Sequence, residues 1–231
     1  MRYTVDPKVF KLQEDIKFGI IIGKHLTNTE TTDEDESRLR RAEEQMRSTI
    51  QPDQLREVRN VALYREVMTR AGINPNKYLV SVEAMFKRIL KGGNLPKINA
   101  LVDLCNAVSV EQVISLGGHD LDDITHDMEV RFSHSEDRFL PFGAEDYEPV
   151  DENELVFTSG HIVQTRKWVW RQSELGKMTL NSSNIVFQLV GFGDDPSFDN
   201  AMRSIEDLVI DRFNGNFKSF VVDATNQSIE F

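Results

Sequence analysis

Residues 81–120 read SVEAMFKRILKGGNLPKINALVDLCNAVSVEQVISLGGHD, and the fold turns on them. Behind Ser81, placed as an N-cap, Val82, Met85, Phe86, Ile89 and Leu90 recur at helical spacing until Gly92-Gly93 stops the run. A second amphipathic segment runs from Ile98 to about Val113, with Ile98, Leu101, Val102, Cys105 and Val108 as its apolar stripe. Beyond it the period changes. Short β-branched and aromatic runs at 128–132, 155–158, 161–166 and 184–190 read as strands.

Working outward, KFGIIIG at 17–23 is a buried strand closed by glycine. A helix follows the polar stretch HLTNTETTDEDE, with Asp33 and Glu36 at capping-box spacing, and Pro52 breaks it. Another helix runs from about Gln54 to Gly72, and Asn74-Pro75-Asn76 is a turn. Residues 196–212 form a late helix that turns Phe198, Met202, Ile205, Leu208 and Val209 inward, and 218–222 is a last strand. Helices come first and strands after, which predicts an α+β fold and not the alternation of a doubly wound sheet. The chain divides into a helix-rich part, 1–96, and a strand-rich, pocket-forming part, 97–231.

With 231 residues, 39% of them hydrophobic, the chain has enough apolar side chains for a real core. No apolar run reaches the length of a membrane span, and MRYTVDPKVF has no secretory pattern. The single cysteine, Cys105, has no partner for an internal disulfide, so a reducing cytoplasmic setting is expected. The net charge of −11 is uneven: residues 1–96 hold 17 Lys+Arg against 14 Asp+Glu, and residues 97–231 hold 10 against 24. Such acidity disfavours non-specific nucleic-acid binding, so no DNA partner and no membrane partner are expected.

Several groups are candidates for chemistry. Opposite the apolar stripe of 98–113 stand Asn99, Asp103 and Asn106, three short polar side chains that are poor helix formers. They form either a polar wall beside a ligand pocket or a solvated face on which Asn99 is the N-cap. Gly117-Gly118 suggests a tight backbone passage, and His119, Asp120, Asp122, Asp123, His126 and Asp127 offer metal-type donors without a known ligand spacing. Trp168 and Trp170 alternate on an expected strand, so their rings share a side, with Arg171, Ser173, Lys177 and Thr179 in the loop beyond. Together these would hold an anionic or aromatic ligand, or else the tryptophans are core. Nucleophile elbow, Walker and Rossmann signatures are all missing, and neither cofactor nor metal is assigned.

Three segments carry a resemblance: KYLVSVEAMFKRILKGGNLPKINALVDLCNAVSVEQ at 77–112, SLGGHDLD at 115–122 and RKWVWRQSELGKMTLNSSNIVFQL at 166–189. In this order they are similar to the free-standing proteins of the B3/B4 tRNA-binding domain family. That domain also occurs inside the β subunit of bacterial phenylalanyl-tRNA synthetase, where it edits mischarged tyrosyl-tRNA. The resemblance, from about Phe18 to Val190, implies one such domain over 1–231. It further implies a β-barrel-like core of mixed strands flanked by helices. INALVDLCN keeps the Asn99, Asp103 and Asn106 of the synthetase pattern. It departs from that pattern with Cys105 in place of threonine, Gly117 in place of histidine and Gln172 in place of the free-standing group's aspartate. Tyrosine specificity therefore does not carry over.

The expected function is tRNA-directed: hydrolysis in trans of the ester of a mischarged aminoacyl-tRNA. Asn106, Asp103 and Asp120 would be the catalytic set. Asn99, Gly117, Gly118, Trp170, Arg171, Ser173, Lys177 and Thr179 would bind the aminoacyl end. The alternative is a non-catalytic tRNA- or amino-acid-binding module, with Arg38, Arg40, Arg41, Arg47, Arg56 and Arg59 as its phosphate-contacting face. A third option is a metal-dependent hydrolase built on residues 119–127.

Overall fold

The computed structural model describes residues 1–231. In chain order the elements are β1 (Arg2–Val5), α1 (Pro7–Phe10), β2 (Ile16–Lys24), α2 (Asp33–Thr49), α3 (Arg59–Arg70), α4 (Ser81–Leu90) and α5 (Ala100–Gln112). Then come β3 (Ser115–Asp120), β4 (Met128–Phe132), β5 (Arg138–Phe139), β6 (Glu148–Pro149), β7 (Leu155–Ser159), β8 (Ile162–Arg166) and β9 (Arg171–Gln172). The chain ends with β10 (Ile185–Phe192), α6 (Pro196–Asp207), a π-helical turn (Leu208–Arg212), β11 (Asn216–Val222) and β12 (Ser228–Glu230). No helix is long and apolar enough to cross a membrane.

The α+β class holds, but the strands make two open sheets and not a closed barrel. One sheet has four strands in the order β11-β2-β10-β3; the other runs β12-β1-β4-β7-β8-β5-β6, with β9 added beside β8. The ring fails to close at β3. Its outer edge meets a loop and a side chain: the Asp120 amide donates to the Gly176 carbonyl (2.9 Å), and Gln172 Nε2 donates to the Gly118 carbonyl (2.9 Å). The strands at the chain's start also tie the helix-rich part into both sheets, because β1 pairs with β4 and β12 and β2 pairs with β10 and β11.

The four-stranded sheet is buried on both faces, which is why β2 and β10 are nearly continuous apolar runs. Ile20, Ile22, Val186 and Val190 enter the larger core under α2, α3 and α4, while Ile21, Ile185, Phe187 and Leu189 enter the smaller core under α5 and α6. Helix α6 lies close on the second face because Gly19 and Gly191 leave room for it. A Cβ at Gly19 would stand 2.3 Å from Met202 Sδ, and one at Gly191 2.3 Å from Phe198 Cδ2.

Helix starts differ from expectation by one residue. Thr32, not Asp33, caps α2, in a reciprocal box with Asp35 (Asp35 amide to Thr32 Oγ1 3.2 Å, Thr32 amide to Asp35 Oδ2 2.9 Å). Val80 is the N-cap of α4 and Ser81 its first helical residue. The tryptophan segment is a turn and not a strand: Lys167 and Trp168 both take left-handed backbone angles, φ 48° and 66°. Gly117-Gly118, expected as a tight passage, lie within the edge strand β3.

Candidate functional site

A cleft of about 90 Å³ opens where the two sheets face each other, between β3 and β10 on one side and β8 with the 168–172 turn on the other. A water needs roughly 10–15 Å³ of such space, so the cleft takes a few waters or one small organic group. Ser81, at the start of α4, closes one end. Not one of the chain's 38 Asp and Glu residues lines it, and its single charged side chain is Arg171. Arg171 forms no ion pair and lies over the Trp170 ring with its guanidinium 6.0 Å from the centroid.

The floor is the free edge of β3. The Leu121 amide continues the ladder to the Asn184 carbonyl (2.7 Å), whereas the Asp120 amide points outward to Gly176. Antiparallel alternation therefore turns the amides of Leu116 and Gly118 outward too, and neither has an acceptor beyond the ladder. Period-two alternation carries Ser115, Gly117 and His119 onto one face, and all three line the cleft. The His119 ring is 2% exposed, packs edge-on to Phe157 at 5.0 Å and has Gln172 Nε2 3.4 Å from Nδ1. Burial pushes its pKa down to about 4, so the imidazole is neutral at pH 7. A Cβ at Gly117 would meet only His119 Nε2, at 3.6 Å, so the missing side chain is part of the open space.

The walls are aromatic. Trp168 is fully buried and stacks edge-on to Tyr64 (5.9 Å), while the partly exposed Trp170 packs on Tyr78 (4.8 Å). Thus the two rings take different neighbours, although both line the cleft. The indole Nε1 of Trp168 has no hydrogen-bond partner in the protein. Tyr64 ties the end of the ladder: its hydroxyl donates to the Val190 carbonyl (2.5 Å) and accepts from the Ser115 amide (2.8 Å). Gln188 Oε1 is occupied by the Tyr3 hydroxyl (2.6 Å).

Of the residues singled out from the sequence, Gly117, His119, Trp168, Trp170 and Arg171 meet at this cleft; the rest of the expected catalytic and binding set stands elsewhere. Asn99 is the N-cap of α5: its Oδ1 accepts from the Val102 amide (3.1 Å) and its Nδ2 donates to the Met178 carbonyl (3.1 Å). Asp103 is buried, accepting from Thr31 Oγ1 (2.6 Å) and the Ile98 amide (3.0 Å), and burial raises its pKa against those bonds. Asn106 is half-buried on α5, outside the cleft. Asn99 and Asp103 thus pin the start of α5 to the loops at 28–31 and 178, and none of the three polar residues lines this cleft. Asp120 is buried and accepts from Ser182 Oγ and the Asp122 amide (3.0 Å). Gly118 faces the other way, its Cβ direction blocked by Met178 Sδ at 2.5 Å. Ser173 Oγ donates to the Leu140 carbonyl (3.1 Å), Lys177 pairs with Glu174, and Thr179 Oγ1 accepts from the Asn181 amide (3.2 Å).

The acidic stretch 119–127 also disperses. Asp123 accepts from the Gly176 amide (3.1 Å), Asp122 from Asn184 Nδ2 (3.1 Å) and Asp127 from the Arg2 amide (2.8 Å), and no three donors converge on one point. Cys105 is a core thiol whose pKa burial pushes up to about 12. The proposed arginine face is largely neutralised: Arg38 pairs with Glu111 (2.8 Å), Arg40 with Glu43 (2.6 Å), Arg47 with Glu44 (3.4 Å) and Arg59 with Asp195 (3.2 Å). Only Arg41 and Arg56 of that set lack a carboxylate partner. What the sequence reading missed as lining are Ser81, Ser115, Thr165, Gln188 and the role of His119. The alternation Ser115-x-Gly117-x-His119 was the signal that could have found two of them.

Among solved structures, an N-terminal fragment of the phenylalanyl-tRNA synthetase β-subunit from Pyrococcus horikoshii is similar at a TM-score of 0.44 and 11% identity, over 93% of this chain. The chain spans about half of that fragment, 49% of its length. No curated protein matches. The profile of the family described as B3/4 domain matches residues 63–203, which hold most of α3 and α6, all of α4 and α5, and every strand from β3 to β10. With well over half of its residues inside that match, the chain belongs to the B3/4 domain family.

Proposed function

We propose that this chain, acting over 1–231 as one domain, is a cytoplasmic tRNA-directed protein that receives the aminoacyl end of a mischarged tRNA and hydrolyses its ester. The observation that carries this reading is the cleft itself, where an edge strand with the outward Leu116 amide and an indole wall line a space that takes one small organic group. An aminoacyl ester is already activated, so a positioned water and donors for the developing oxyanion are the main requirements. The Leu116 amide and the Ser81 and Ser115 hydroxyls supply donors. Neutral His119 orients the water, Trp170 stacks on the aminoacyl group or the terminal base, and Arg171 meets the phosphate nearest the ester. Gly117 keeps the space open.

The test is deacylation of a panel of mischarged tRNAs by wild type and by Gly117→Val. Valine suits a strand and a Cβ at this position meets only His119 Nε2, at 3.6 Å, so the variant should fold. Turnover of one class of substrate, reduced at least about tenfold by Gly117→Val, is the expected result. No turnover of any substrate by the wild type would remove the hydrolase reading. The second reading, a non-catalytic binding module, is favoured by one observation: neither Asp103 nor Asp120 reaches the cleft, so no carboxylate base is at hand.

A further inference from the structure

We propose that the inner end of the cleft binds the carboxylate of a small organic acid, held by the start of α4, the Trp168 indole N–H and Arg171. This deepens the reading of the same cleft, but it stands on the donor set alone and does not require hydrolysis. The start of α4 is open: Val80, its N-cap, has no side-chain acceptor for the first-turn amides, and the Ser81 amide is taken by the Val169 carbonyl (2.9 Å). Ser81 is the one α4 residue in the lining, so the helix brings its hydroxyl and the positive end of a ten-residue dipole to the cleft, and these favour a negative charge there. The independent observation is Trp168. Its side chain is wholly buried and lines the cleft, and its Nε1 donates to nothing in the protein. A buried donor without an acceptor is costly, and the cleft that this side chain lines is where an acceptor would enter.

The rest of the lining agrees in sign. The Ser81 and Ser115 hydroxyls stand 3.3 Å apart, free to turn their hydrogens inward, and the outward Leu116 amide adds a donor. Of the two amide oxygens in the lining, Gln188 Oε1 is already bonded to Tyr3, and Gln172 Oε1 is left to accept a ligand N–H. In a chain of net charge −11, a cleft with one cation and no anion is matched to a monoanion.

The chain's two tryptophans both line this cleft, so their fluorescence reports on it directly. The test titrates the whole protein with N-acetyl-L-alanine, with N-acetyl-L-alaninamide, with free L-alanine and with inorganic phosphate, all at constant ionic strength. The expected result is a saturable emission change with N-acetyl-L-alanine, and binding at least about tenfold weaker for the amide, the loss of a charge-assisted contact. Arg171→Gln, a change on an exposed side chain, should weaken the acid by about fivefold or more and leave the amide unchanged. Trp168→Phe should do the same while Trp170 reports. Equal binding of acid and amide, or no saturation by any acid, overturns the proposal. Tighter binding of phosphate overturns the carboxylate assignment, and tighter binding of free L-alanine overturns the charge argument. Deacylation without acid binding would sink this inference and leave the hydrolase reading standing; acid binding without deacylation would do the reverse.

Discussion

His119 shows what burial does to a side chain that the sequence offers as a metal donor. The folded chain holds its imidazole neutral down to about pH 4, whereas the unfolded chain takes up a proton near 6.5. Stability from this residue is therefore whole above pH 6.5 and falls as the pH drops towards 4, by up to about 3 kcal/mol. Urea unfolding at pH 7 and pH 4.5 should show a smaller pH difference for His119→Gln than for wild type, and an equal difference would refute the assignment. Asn99 gives the opposite lesson. It stood in the sequence as pocket wall or N-cap, and its bonds to Val102, Asn28 and Met178 make it the cap. Asn99→Ala should cost about 1–2 kcal/mol of stability and leave cleft ligands bound as before, by thermal melts and tryptophan titration. A lost ligand response in a stable variant would return Asn99 to the site. One face of a helix is readable from spacing, but what that face meets is set by loops distant in sequence, here 28–31 and 178–179.

At the scale of elements, the turn that carries the tryptophans depends on a buried charge. Two consecutive left-handed residues, Lys167 and Trp168, are strained, since only glycine adopts that backbone freely. Glu154 holds the turn in place, accepting from Arg166 Nε (3.0 Å), from the Lys167 amide (2.9 Å) and from Lys167 Nζ (2.5 Å). Burial works against its charge, but Arg166 and Lys167 outweigh it and keep its pKa below the usual glutamate range. Glu154→Ala leaves two partly buried cations with only the exposed Asp151, 3.6 Å from each, and should lose about 3 kcal/mol. It should also increase acrylamide quenching of Trp168, and an unchanged quenching constant would show that the turn stands without Glu154. Nothing local in RKWVWRQS announces this turn. Its alternating apolar residues match a strand, and the partner that bends it lies at 154. The apolar runs of β2 and β10 were legible as strands because each is covered on both faces, whereas β5, β6 and β9 are two-residue bridges defined only by their neighbours.

For the whole molecule the tRNA-directed proposal raises the question of how an acidic protein would meet an RNA. Self-repulsion between a net charge of −11 and a phosphate backbone works against broad docking, and four of the six arginines once set on a basic face are paired with carboxylates. Near the mouth of the cleft stand Arg171 and Lys77, whose ammonium lies over the Tyr78 ring that packs on Trp170. Contact through so few cations neutralises about two or three phosphates, and the logarithm of the binding constant should then fall with the logarithm of salt at a slope of about −2 to −3. Filter retention of a charged tRNA between about 50 and 200 mM salt measures that slope. The double change Arg171→Gln with Lys77→Ala should lower it in magnitude by about one to two, while Arg41→Ala with Arg56→Ala should not alter it. A slope near −6, unmoved by the first pair, would mean that the RNA lies on another face and that the cleft is not where its end is received.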